Sequence, residues 1–123
     1  MMVDAILVDT SVWVDHLRSG DEALAGLLEG GRVLMHPWVL GELACGNLRQ
    51  RERVLGLLRS LPRAAAALDD EVLFFIDRHR LMGRGIGYVD AHLLAAVALH
   101  GGARLLTRDR RLRALAGELG LAV

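Results

Sequence analysis

Ala5-Ile6-Leu7-Val8-Asp9-Thr10-Ser11-Val12-Trp13 is the stretch that decides the fold. An apolar run enters an acid, and two hydroxyl residues follow. A short uninterrupted apolar run reads as a strand buried on both faces, the kind found in parallel sheets. Thr10 or Ser11 offers an N-cap for a helix that continues to about Arg18. Outward from this unit the pattern repeats. Asp21 to Glu29 reads as a helix stopped by Gly30-Gly31, and Arg32-Val33-Leu34-Met35 as the next strand. Pro37 suits the first position of a helix running to about Gly46 or Asn47. Arg51 to Ser60 is helical and ends before Pro62. Arg63 to Leu68 stays open: its alanines favour helix, but a short strand fits the alternation better. Asp69-Asp70-Glu71 starts a helix that reaches about Leu81. Gly83 to Gly87 is a loop, read as a flexible lip. Tyr88 to His100 is a strongly apolar helix, Arg104 to Thr107 a strand, Arg110 to Leu119 a helix, and Leu121 to Val123 a last short strand. Strands alternating with helices predict an α/β fold, a parallel sheet with helices on both faces.

Length and composition bound the function. At 123 residues the chain reads as a single domain over 1–123, with roughly two-thirds of its unfolded surface buried on folding. The hydrophobic share of 53% and mean hydropathy of +0.33 exclude a disordered chain. They also hint at apolar surface covered by a partner. The net charge is zero, which excludes a dominant non-specific field for nucleic acid but not a local one. All 15 basic residues are arginine, so no mechanism that needs a lysine, such as a P-loop ATPase or a Schiff-base enzyme, is available. The one cysteine, Cys45, excludes an internal disulfide and a cysteine-based zinc site, reads as a small core residue, and fits a reducing cytoplasm. No apolar run approaches the ~20 residues of a membrane span, and Met1-Met2-Val3-Asp4 lacks the basic region of a signal peptide.

Four acids far apart in sequence converge on one edge of such a sheet. Asp9 ends the first strand, and Asp109 follows the Arg104–Thr107 strand. Crossover helices run back antiparallel to the strands, so each begins near the carboxyl edge, where open α/β sheets bind ligands. Glu42 lies in the second turn of one such helix and Asp90 in the first turn of another. Carboxylates bordering apolar segments are costly to bury unless paired or bound to a metal. Oxygen-only donors suit Mg²⁺ or Mn²⁺, and acids holding such ions hydrolyse phosphodiesters. The competing reading makes Asp9 and Asp109 helix N-caps and Asp90 a helix-dipole acid. Glu42, past the first turn, has no such role.

The five histidines, His16, His36, His79, His92 and His100, read as surface or packing residues; His36, at a strand end, is the one able to approach the acids. No nucleophile-elbow pattern supports a triad on Ser11. Trp13 and Trp38 read as core or interface residues. Arg49, Arg51 and Arg53 form one arginine cluster, and Arg108, Arg110, Arg111 and Arg113 another. Each is either a solvated helix face or a phosphate contact.

Leu7-Val8-Asp9-Thr10-Ser11-Val12-Trp13, Leu40-Gly41-Glu42-Leu43, Asp90 with Leu93-Leu94-Ala95-Ala96, and Leu105-Leu106-Thr107-Arg108-Asp109 occur in this order along nearly the whole chain. The set resembles PIN-domain ribonucleases of the VapC toxin type. The resemblance implies a three-layer α/β/α fold with a short central parallel sheet, and a Mg²⁺- or Mn²⁺-dependent endoribonuclease acting on structured cellular RNA. Asp9 and Asp90 would be the chief metal ligands, and Glu42 and Asp109 would complete the acidic pocket. Ser11 and Thr107 would orient carboxylates behind them, and Arg108, Arg110 and Arg111 would contact RNA. A homodimer and a VapB-like antitoxin are further implications. Some members carry a fifth acid after the fourth; here Arg110, Arg111 and Leu112 follow instead, which leaves one or two ions open. Two rivals stand against this reading. A phospho-acceptor receiver domain wants paired acids and a late lysine, and this chain has Asp9-Thr10 and no lysine. A PIN-like module that binds RNA or protein without cleaving it is the alternative.

Overall fold

A computed structural model describes residues 5–123; the Met1–Asp4 reading lies outside the described residues. Strand β1 (Ala5–Val8) leads to helices α1 (Thr10–Ser19) and α2 (Glu22–Glu29), then β2 (Val33–Leu34), α3 (Pro37–Ala44) and α4 (Arg51–Arg59). Helices α5 (Asp69–His79) and α6 (Tyr88–His100), β3 (Ala103–Leu106) and α7 (Arg110–Glu118) complete the order. The strands form a parallel sheet in the order β2-β1-β3. Ile6 pairs with Val33 on one side and with Arg104 on the other.

Two isolated bridges extend the sheet at both edges. Arg63 pairs in parallel with Met35 beyond β2, and Ala122 with Leu105 beyond β3. Counting these, the chain steps outward twice from β1, returns across it, and steps outward again. Right-handed crossovers then place helices on both faces. Helix α1 packs on α3 and α3 on α4, while α5 packs on α6, and α6 and α7 pack on β3. The result is the expected three-layer α/β/α arrangement. Its core runs through Leu7, Val8, Val12, Trp13, Leu93 and Leu105, all buried.

Several local expectations need correction. The N-cap of α1 is Asp9, whose side chain accepts from the Thr10 amide, not Thr10 or Ser11. The strand expected over Arg32–Met35 has two ladder residues, Val33 and Leu34; Arg32 still accepts from the Ile6 amide, and Met35 continues the edge as the bridge to Arg63. Residues 64–68 are neither helix nor strand; only Arg63 bridges. Cys45 is exposed at the C-cap of α3: α3 ends there, and the core face of that helix is supplied by Val39 and Leu43. Trp13 is core but Trp38 is not.

The Gly83–Gly87 segment is tied to α7 and is no free lip. Arg84 donates to Glu118 at 2.8 Å. Gly85, at φ +87°, lies so close under Arg111 that a Cβ would stand 2.6 Å from its Cδ.

Candidate active site

The point where strand order reverses in a doubly wound sheet leaves a crevice at the carboxyl ends of its strands. Here that point lies between β1 and β3, and the turns leaving both strands are knitted together there. Asp9, 7% exposed, accepts from the Thr10 amide at 2.8 Å through Oδ1. Its Oδ2 accepts from the Ser11 hydroxyl at 2.9 Å and from the Thr107 hydroxyl at 2.7 Å. The same two hydroxyls each accept a backbone N–H in turn, Ser11 from Arg108 at 3.1 Å and Thr107 from Asp109 at 3.0 Å. A buried carboxylate with three donors is held in one orientation.

The other three acids are held by one oxygen each. Asp90 Oδ2 accepts from the Gly87 amide at 3.1 Å, and Asp109 Oδ1 from the Leu112 amide at 2.9 Å. Glu42 Oε1 accepts from the Thr10 hydroxyl at 2.5 Å. Asp9, Asp90 and Asp109 therefore do serve helix starts, yet each start is also where the acids meet. Burial first, and then the charges of Asp9, Asp109 and Glu42, push the Asp90 carboxyl above its ordinary range, against the opposing pull of the Gly87 amide.

This environment fits a hard dication. The donors are oxygens only, and among the described residues Asp90, Asp109 and Glu42 each keep an oxygen without a hydrogen bond. Among the described residues no three His, Cys, Asp or Glu side chains stand close enough to clasp one ion together. Asp9, Glu42, Asp90 and Asp109 are the residues that would hold such an ion, directly or through water, as Mg²⁺ usually allows.

The arginines behave differently from one another. Arg108 donates to both Asp15 and Asp21. These bonds hold Asp21 below the usual carboxylate range and push Arg108 up. Its guanidinium ties the β3–α7 turn to α1 and to the start of α2, so the residue read as an RNA contact is already engaged by two acids. Arg110 is exposed, and Arg111 lies over Gly85.

Two features escaped the sequence reading. Thr10, read only as a cap, fixes Glu42; a hydroxyl directly after Asp9 was the available signal. The second is a buried imidazole pair behind the acids. His36 caps α3 by accepting from the Trp38 amide at 3.0 Å, and burial pushes its pKa down to about 4, helped by His92 and Arg63. His92 Nε2 lies 3.2 Å from Asp69 Oδ1. His36 Nε2 and His92 Nδ1 are buried without a hydrogen-bond partner among the described residues.

Comparison with known proteins agrees with this geometry. The PIN domain family model matches residues 6–118. Ribonuclease VapC32 of Mycobacterium tuberculosis, from strain CDC 1551 / Oshkosh and from strain ATCC 25618 / H37Rv, is 52% identical over 118 residues, 96% of this chain and 95% of the relative. With all four acids meeting at the switch point of a three-layer sheet, the chain belongs to the PIN-domain family and is a VapC-type member of it.

Proposed function

We propose that the chain, as one domain over residues 1–123, is a Mg²⁺- or Mn²⁺-dependent endoribonuclease and the toxin of a VapBC-type pair. The observation that carries this reading is the meeting of Asp9, Glu42, Asp90 and Asp109 at one sheet edge, where three of them raise the proton affinity of the fourth. The likeness to proteins named Ribonuclease VapC32 supports the choice of RNA.

Asp9 and Asp90 are the chief ligands. Asp9 is fixed by three donors and gives the ion an immobile anchor. Asp90, carrying the least comfortable charge, gains most from a nearby dication. Glu42 and Asp109 complete the pocket directly or through water. Ser11 and Thr107 keep Asp9 aligned, and Thr10 does so for Glu42. When bound, the ion supplies a Lewis acid and an acidified water. Hydrolysis joins water oxygen to phosphorus and breaks one P–O bond to ribose, and the leaving oxygen takes up a proton.

The substrate is structured cellular RNA, tRNA or rRNA, met in the cytoplasm; among the described residues no helix is long and apolar enough to cross a membrane. The protein works as a homodimer. Its VapB-like antitoxin lays an amphipathic segment into the groove of about 430 Å³ that Val14, Leu17, Leu43, Leu48 and Val54 line beside Glu42. An antitoxin arginine reaching the acids would compete with the ion.

The test is cleavage of purified tRNA and rRNA with Mg²⁺ or Mn²⁺, repeated in EDTA. Metal-dependent internal cuts are expected. Undiminished cutting in EDTA, or none with either ion, removes the reading.

A further inference from the structure

Trp38 stands in the first turn of α3, four residues before Glu42 and on the same helical face; Tyr88 opens α6 in the same turn as Asp90 but on a different face, the one it shares with His92. They are 43% and 41% exposed, whereas Trp13 is 2% exposed. We propose that Trp38 and Tyr88 form a stacking wall for an unpaired nucleobase of the RNA beside the scissile bond. The proposal rests on the ribonuclease reading and adds how the substrate is gripped.

Both rings are held before any ligand arrives. Their centroids are 6.5 Å apart and their planes cross at 81°. Buried His92 forms the floor, 5.1 Å from Trp38 at 31° and 4.6 Å from Tyr88 at 82°. His36 backs His92 at 6.4 Å, and the Tyr88 hydroxyl donates to Asp69 Oδ1 at 2.9 Å. Rigid aromatic surface binds with little loss of side-chain freedom. The two rings meet edge to face, so the flat surface offered to a base is the exposed part of Trp38, unlike the aliphatic groove beside Glu42.

Charge points the same way. The net charge is zero, the site is acidic, and Arg108 is occupied by Asp15 and Asp21. Attraction of phosphates by the chain as a whole is therefore weak, and what remains is local, from exposed Arg110 and Arg111. Stacking on an aromatic face needs no charge and accepts any base.

The two tryptophans give the test its own readout, independent of cleavage. A short single-stranded oligoribonucleotide is titrated in EDTA while tryptophan emission is followed. Quenching confined to exposed Trp38 is expected, and it disappears in Trp38→Leu, leaving the buried Trp13 emission. RNA affinity falls roughly 5- to 150-fold in Trp38→Leu, with the salt slope unchanged, and Trp38→Phe recovers most of it. Tyr88→Ala lowers affinity with Trp38 emission still present. Binding without quenching, or equal affinity in Trp38→Leu, overturns the proposal. Unchanged RNA affinity together with loss of self-association in Trp38→Leu also overturns it, and marks the wall as a protein contact. Wild-type cleavage under metal is scored separately, so failure of the nuclease reading is seen apart from failure of the wall.

Discussion

Helices α3 and α6 each carry one member of two titratable clusters, and the two clusters have opposite characters. Glu42 and Asp90 belong to the carboxylate group at the sheet edge; His36 and His92 belong to the imidazole pair behind it. Burial pushes Asp90 up and His36 down, so desolvation favours the neutral form in both places. The difference lies in what remains. A neutral imidazole is content in the core, and His36 uses its lone pair to cap α3. The carboxylates crowd one another, as the raised Asp90 shows, and a cation would relieve that crowding. Neighbouring clusters on the same helices thus divide into a packing unit and a chemical one.

The sharpest way to break this division is activity. Asp9→Asn or Asp90→Asn should lower metal-dependent RNA cleavage by at least about 10²-fold, measured as initial rate. The contrast fails if His36→Asn, which keeps an acceptor for the Trp38 amide, lowers the rate as far. Next comes pH. The folded state keeps His36 neutral, so the unfolded state takes up the proton first as pH falls. The stability this provides is complete above pH 6.5 and is lost as pH falls toward about 4, a loss of up to about 3 kcal/mol in chemical denaturation. His36→Asn should lack that slope. Asp90 acts in the opposite sense: its raised folded pKa makes acidification stabilising, and Asp90→Asn should remove that gain.

Metal sharpens the comparison further. Mg²⁺ at a hundred times its Kd should stabilise the wild type by about 2.7 kcal/mol, and Asp90→Asn far less, in thermal melts; equal shifts would put the ion elsewhere. A smaller effect is expected from Gly85→Ala, about 1–2 kcal/mol from its left-handed φ. That change also presses Arg111 away from the loop that leads into Asp90. Smallest is Cys45→Ser, exposed and outside both clusters, within about 0.5 kcal/mol.

Long or strongly patterned segments were legible in the sequence. Tyr88–His100 and Ala5–Val8 stand where apolar continuity put them, and so does the carboxyl-edge meeting of the four acids. That meeting follows from strand direction alone, which needs no knowledge of strand order. What was not legible depends on partners distant in sequence. Arg32–Met35 has the composition of a strand, but its outer neighbour is the single residue Arg63, which no local pattern around 63–68 announces. Arg108 looks free until Asp15 and Asp21 arrive beside it. The His36–His92 contact joins residues on different helices, and no periodicity along either one announces it. Cys45 was misplaced because a small apolar-leaning residue near a helix end gives no sign of which side of the last turn it occupies.

The Thr107 hydroxyl that grips Asp9 comes from 98 residues away along the chain, and the central strand β1 finds β3 only across a similar span. Contacts of such long range close late in folding. A ribosome adds about 5–20 residues per second, so Asp9 waits roughly 5–20 s after its own synthesis before Thr107 exists. During that interval the nascent chain has Asp9 and Glu42 but no closed site. A chain released before residue 103 lacks β3, Thr107 and Asp109 altogether, and should show no cleavage in the assay that detects the full chain. The order of the residues alone thus keeps the acidic edge open until β3 and the turn after it have been made.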